Sequence, residues 1–220
     1  MIPAFRYSVY ALVAAGLTAC ATSVPSPNLG LYKRELVEWH DSGSYERAFA
    51  ASSKPAAAYL KQRIAQRKAG EKIAVVFDID ETLLSNWGYL THRNFGITSP
   101  SFAEWVARHD DPALTPTRAI YEEARLAGLP IFLITGRSEA LRVHTLRQLK
   151  AAGYTGWDRL YMKPLHYTDA SIIPFKSAAR REIEAQGYLV TLNMGDQWSD
   201  LKGGYAEKPV KLPNPYYFIR

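Results

Sequence analysis

Three short clusters in this 220-residue chain hold side chains able to do chemistry in concert. They are Asp78-Ile79-Asp80-Glu81-Thr82, Thr135-Gly136-Arg137 and Gly195-Asp196-Gln197-Trp198-Ser199-Asp200. Carboxylates drawn together from the first and last clusters would repel one another, so a cation is expected among them. A ligand set made of aspartate oxygens suits a hard ion, and Mg²⁺ fits a site that keeps waters and shares a phosphate oxygen. Taken singly, each cluster could simply be a polar loop solvating the end of a strand. Their joint placement is what points to a site.

That placement depends on the elements around them. Ile73 to Phe77 (IAVVF), Pro130 to Ile134 (PIFLI) and Leu189 to Met194 (LVTLNM) are short continuous apolar runs rich in β-branched residues, and Arg159 to Met162 is a weaker one. Such runs predict strands buried on both faces. Helical patterns at Thr117 to Ala127, Glu139 to Ala152 and Lys176 to Gln186 lie between or after them, each closed by a glycine (Gly128, Gly153, Gly187). The alternation predicts an α/β fold, a parallel sheet with helices on both faces, in which ligands bind at the carboxyl ends of strands. All three clusters follow a predicted strand. Upstream, Leu31 to Lys68 reads as two helices, the second opening near Lys54-Pro55.

Composition narrows the class. With 47% hydrophobic and 22% charged residues, the chain is neither disordered nor fibrous. A net charge of +6 favours anionic partners in general but is too small to argue for nucleic acid. The single cysteine excludes an internal disulfide and a thiolate zinc site. Cys20 follows Arg6, an apolar run from Tyr7 to Leu17 too short to span a bilayer, and small residues, the pattern of a secretory signal. Leu17-Thr18-Ala19-Cys20 resembles the bacterial lipobox. That resemblance implies cleavage after residue 19, lipidation of Cys20, and a membrane-anchored protein of the bacterial cell envelope, with Ala21 suiting the outer membrane. Residues 20–34, with Pro25 and Pro27, are then expected to be a lipidated cysteine and an extended spacer, and 35–220 the folded domain.

DIDETLLSN at 78–86, ITGR at 134–137, a lysine opening a later helix and GDQWSDL at 195–201, in this order, resemble the haloacid dehalogenase (HAD) superfamily of phosphatases. More narrowly, the chain is similar to the bacterial class C acid phosphatases, which include outer-membrane lipoproteins, and to the plant vegetative storage protein-like acid phosphatases; KLPNPYY at 211–217 is similar to the end of the plant members. The resemblance implies a HAD-like Rossmannoid sheet with a small helical cap at about 87–115. It implies Asp78 as a nucleophile that forms an aspartyl phosphate, and Asp80 as the group that protonates the leaving oxygen and then activates water. Asp78, Asp80, Asp196 and Asp200 are implied as metal residues for Mg²⁺, with Asp200 alternatively orienting the lysine. Thr135 and Gly136 are implied as grips on the phosphoryl oxygens.

For the lysine, Lys176 has the family spacing, 20 residues before Asp196 at a helix start after Pro174, with Lys163 as the rival. A cation at a helix start opposes the dipole, which favours a functional reason for Lys176. Trp87 and Tyr89 are candidates for stacking on a nucleobase or aryl leaving group, against an ordinary place in the core. Arg137 reads as a structural salt-bridge donor. The five scattered histidines and the lone Cys20 argue against phosphohistidine and cysteine-based mechanisms. The expected function is a lipid-anchored, Mg²⁺-dependent acid phosphatase acting on small phosphomonoesters such as nucleoside monophosphates or aryl phosphates. The alternatives are a phosphotransferase with the same intermediate and a catalytically silent binding lipoprotein.

Overall fold

The structure, a computed structural model, describes residues 26–219. The expected signal segment and the expected lipidation site, Cys20, lie outside the described residues. A helical hairpin comes first: α1 (Leu29–Asp41), capped by Asn28, whose side chain accepts from Leu31 N, and α2 (Ser44–Ala65). The expected spacer therefore turns helical at residue 29. The second helix also starts earlier than the sequence suggests. Pro55 lies inside α2 rather than opening it, on an exposed face where the Ala51 carbonyl that loses its donor can meet water.

Next come β1 (Ile73–Phe77), α3 (Trp87–His92), α4 (Ser99–Arg108), α5 (Thr115–Leu126) and β2 (Ile131–Ser138). A 3₁₀ turn at Glu139–Leu141 leads into α6 (Arg142–Ala151), followed by β3 (Arg159–Lys163), α7 (Ile173–Ala185), β4 (Leu189–Gly195), α8 (Trp198–Leu201) and β5 (Lys208–Lys211). The strands form one parallel sheet in the order β3-β2-β1-β4-β5. The three strong apolar runs occupy its centre. The edge strand β5 has no apolar run to announce it: two of its four residues are lysines and a third is Pro209, which an edge tolerates because its missing N–H faces no neighbour.

Alternation along the strands separates two cores. Ile73, Val75 and Phe77 of β1, with Ile131, Leu133, Leu192 and Met194, pack against α2, α5 and α6 through residues such as Phe49, Leu60, Tyr121 and Leu149. Ala74, Val76, Phe132, Ile134 and Val190 face the other way, onto Ala179 and Ile183 of α7. Burial on both faces is what makes β1 a continuous hydrophobic run, since every second residue has a different core to fill. Helices α3 and α4 stand between β1 and α5, where the small cap is expected. Among the described residues no helix is long and apolar enough to cross a membrane.

The opposite end of the sheet is tied by ions. Arg63 of α2 bridges Glu71, just before β1, at 2.5 Å and Glu207, just before β5, at 3.0 Å, and Glu207 also accepts from the Thr191 hydroxyl. The Arg63 hydrogen bonds hold the Glu71 carboxyl down at about 2, below its ordinary 4.5. A depressed folded-state pKa contributes stability that is fully present above about 4.5 and is lost as pH falls towards about 2. Thermal melts across that window should show a steeper loss for the unaltered chain than for Glu71→Gln; parallel curves would mean the bridge adds nothing.

Candidate active site

Register brings the three clusters together. Phe77 lies beside Leu133 on one side and Met194 on the other, so Asp78-Ile79-Asp80 beyond β1, Ile134-Thr135-Gly136 of β2 and Gly195-Asp196 at the end of β4 run on as neighbours. The Asp78 amide still donates to the Met194 carbonyl, at 2.9 Å, before the chains diverge. Asp78, Asp196 and Asp200 are all buried, and each offers an oxygen within 4.8 Å of the others.

A lysine enters this group from the other side of the sheet. Lys176, in the first turn of α7, gives its Nζ to Asp78 Oδ1 at 2.7 Å and also to Asp200 Oδ1. Only about 4% of the residue is exposed. Burial alone would lower its pKa, but Asp200 and Asp78 outweigh that and raise it above the ordinary lysine value, so the ammonium stays charged. Lys163, the rival, ends β3 opposite Ser138 of β2, one strand further from β1. Of the two lysines, Lys176 is the one that meets Asp78.

Three carboxylates against one ammonium leave the cluster two charges short of neutrality. Burial pushes both Asp78 and Asp196 well above the usual carboxylate range, and neighbouring aspartates push in the same direction. That deficit, in an all-oxygen donor set, fits a hard divalent ion such as Mg²⁺. Asp196 and Asp200 supply the carboxylates of one loop and Asp78 that of the other.

Asp80 sits apart from this group in a different field. Arg137, whose side chain is fully buried, meets it through Nη2 at 2.7 Å and through Nε, which lies 3.1 Å from each carboxylate oxygen. Burial raises the Asp80 pKa, but the guanidinium and the Asn86 amide more than offset this and hold the carboxyl below its ordinary value. Arg137 is in turn fixed by Gln148 Oε1 at 2.6 Å, and Gln148 passes the connection to Asp111 and so to the Trp105 indole of α4. The salt-bridge donor read from the sequence thus links Asp80 to the cap. Thr135 is fully buried within β2, which runs on past the predicted end at Ile134 to Ser138, and its Oγ1 accepts from the Arg137 amide, with half-buried Gly136 between them.

Trp87 and Tyr89 are spent on packing rather than presented to a ligand. Trp87 stacks on His40 at 3.7 Å and leans on Tyr216, while Tyr89 is buried against Phe102 and Trp105 with its hydroxyl on Ser101. The cap aromatic that lies over the charged centre is Phe102, its ring 5.5 Å from the Arg137 guanidinium carbon. Sequence reasoning also passed over Glu81, Asn214 and Tyr217. Glu81 is fully buried and pushed up to about 7, first by burial and then by Asp80. Its position directly after Asp80 was the only local signal.

The family model for the HAD superfamily, subfamily IIIB (Acid phosphatase), matches residues 30–220. The chain belongs to this family. Acid phosphatase 1 of Solanum lycopersicum is 36% identical over 148 residues, which is 66% of this chain and 58% of that protein. The stem 28 kDa glycoprotein of Glycine max is 37% identical over 155 residues, 68% of this chain and 61% of the soybean protein. The chain thus spans less than two thirds of the length of these curated relatives. Among solved structures, the class C acid phosphatase of Bacillus anthracis superposes with a TM-score of 0.71 over 86% of each chain, at 19% identity, which shows a shared HAD-like α/β fold.

Within this HAD subfamily IIIB fold, the last carboxylate loop is held from behind. Arg180, buried in α7, donates to the carbonyls of Asp200, Lys202 and Gly204. Asp200 Oδ2 accepts from the Gln197 amide while Oδ1 takes Lys176, so one carboxylate both caps α8 and seats the ammonium. Gly195 makes this approach possible, because a Cβ there would fall 2.3 Å from Asp200 Cβ. Gly195→Ala should therefore displace Asp200 and cost about 1–3 kcal/mol of stability, the usual price of overpacking. Urea denaturation with unchanged stability would show that the loop can yield.

Proposed function

We propose that the chain is a metal-dependent acid phosphatase that hydrolyses small phosphomonoesters through an aspartyl-phosphate intermediate. The observation that carries the reading is the buried Lys176 ammonium, 2.7 Å from Asp78 Oδ1, in an acidic cluster at the ends of parallel strands. A carboxylate attacks a phosphoryl group only where the charge of both is neutralised, and a lysine beside the attacking oxygen meets that need.

In the first half-reaction an Asp78 oxygen bonds to phosphorus as the ester oxygen leaves, taking a proton from Asp80. In the second, water attacks the phosphorus of the aspartyl phosphate, gives its proton to Asp80, and releases phosphate with the Asp78 carboxylate restored. Arg137 keeps Asp80 in the ionised state that the second step requires. An approaching phosphate raises the Asp80 pKa, and an acidic medium fills the protonated state that the first step requires. Lys176, the Thr135 hydroxyl and the backbone amides after it hold the phosphoryl oxygens. Asp78, Asp196 and Asp200, with the Asp80 backbone carbonyl, would hold Mg²⁺, which when bound neutralises phosphate charge.

Lipidation at Cys20 and a place in the bacterial cell envelope, facing the periplasm or the surface, complete the proposal. The support is the Leu17-Thr18-Ala19-Cys20 sequence after an apolar run.

Hydrolysis of p-nitrophenyl phosphate should be abolished by EDTA, restored by Mg²⁺, and reduced by roughly three orders of magnitude or more in Asp78→Asn. Activity unaffected by both treatments would sink the mechanism. For the anchor, Cys20→Ser should block processing of the precursor and its lipid labelling; normal processing and retention in the membrane fraction would count against it.

A further inference from the structure

The segment that follows β5 reaches back into the acidic centre at two points. Leu212 N donates to the Gly195 carbonyl at 2.9 Å, carrying the chain past the end of β4. Asn214 then closes a turn on itself, its Oδ1 accepting from Tyr216 N at 2.8 Å. This leaves its Nδ2 free to donate to Asp196 Oδ2 at 2.6 Å. The Gln197 side-chain Nε2 donates to the same oxygen at 2.6 Å and to the Tyr217 carbonyl at 3.3 Å, while its Oε1 accepts from Ile219 N. Both amides converge on Oδ2, so Oδ1 of Asp196 is left clear of them.

The second point is Glu81. Tyr217 donates its hydroxyl to Glu81 Oε2 at 2.5 Å. Asn86 donates to both Glu81 oxygens, through its amide N at 2.7 Å and its Nδ2 at 2.9 Å, and the same Nδ2 reaches Asp80 Oδ1 at 2.9 Å. Glu81 has φ +49°, in the left-handed region, where a side-chain-bearing residue persists only if its surroundings fix it. Tyr217 and Asn86 are those surroundings. Between the two contacts, Tyr216 is buried among Tyr45, Trp87 and Phe95, which anchors the segment to α2 and the cap.

We propose that Asn214 and Tyr217 are positioning residues, a C-terminal clamp that orients Asp196 for the cation and, through Glu81 and Asn86, orients Asp80 for proton transfer. The proposal rests on the metal-dependent phosphatase reading. The chemistry of the donors suits the task. A neutral amide or phenol fixes a carboxylate without neutralising it, so the two-charge deficit of the cluster is preserved for a divalent ion. A lysine or arginine at either place would compete with that ion. Outer hydrogen bonds of this kind govern both the direction and the basicity of ligating carboxylates.

The test uses the full chain with Asn214→Ala and Tyr217→Phe, read by isothermal titration calorimetry with Mg²⁺ alone, by kcat and KM for p-nitrophenyl phosphate at saturating Mg²⁺, and by the melting temperature without metal. Asn214→Ala should weaken Mg²⁺ binding by ~10- to 100-fold. Tyr217→Phe should lower kcat about tenfold with KM and Mg²⁺ affinity held. Should Asn214→Ala fail to fold, Asn214→Ser gives up the amide while keeping a short polar side chain, and carries the same expectation. Folded variants with the Mg²⁺ affinity and kcat of the unaltered chain would overturn the clamp, and the phosphatase reading would stand. An unaltered chain that neither binds Mg²⁺ nor hydrolyses the ester would overturn both.

Discussion

An ammonium is removed from water only where carboxylates stand ready to receive it, and most of this architecture follows from meeting that condition for Lys176. Two carboxylates from different loops, Asp78 and Asp200, must arrive at the same nitrogen, and neither is close to it in sequence. Parallel strands solve the problem because adjacent chains end together at one edge. The β1–β4 register sets Phe77 beside Met194, so the loops that follow diverge from a common line. Close approach at Gly195 and the grip of Arg180 on the α8 backbone then bring Asp200 inward. Two separate cores hold the sheet steady beneath them.

The same centre divides its charges into two compartments. Around Asp78 and Asp196 the carboxylates outnumber the cations, and burial together with that excess charge drives them towards protonation; a bound cation relieves the same excess and displaces the protons. Around Asp80 a full guanidinium fixes a single carboxylate in the ionised form. Two residues apart in the chain, Asp78 and Asp80 differ in character because one faces aspartates and a lysine while the other faces Arg137. This separation of neighbouring carboxylates by environment is a common route to distinct roles in acid–base chemistry.

Much of this was legible in the sequence, and what was not shares a cause. The central strands announce themselves because burial on both faces demands apolar residues at every position. The aspartates and Thr135 announce themselves because polar groups directly after an apolar run need a reason, although β2 itself continues through Thr135 to Ser138. Lys176 was favoured over Lys163 on helix position and spacing, and Lys176 is the one at the Asp78 carboxylate. Strand β5 escaped notice because an edge of lysines and proline has no hydrophobic pattern. Pro55 misled because an exposed helix face tolerates what a buried one would not. Trp87 and Tyr89 could not be assigned because an aromatic ring looks the same in sequence whether it packs or waits for a ligand. Glu81, Asn214 and Tyr217 were hidden because their partners are far along the chain and no local period records them.

That distance bears on the order in which the molecule is made. The Lys176 to Asp78 contact closes a separation of 98 residues, and the Tyr217 to Glu81 contact one of 136. Pairings so remote carry a large chain-closure cost and form late, after local helices such as those of the N-terminal hairpin. Until α7 has docked on the sheet the first carboxylate loop lacks its ammonium, and until the segment beyond β5 has turned back it lacks its tyrosine. The chemistry of the protein is therefore among the final things its folding produces, and a chain caught part-way can have most of its helices and no working centre.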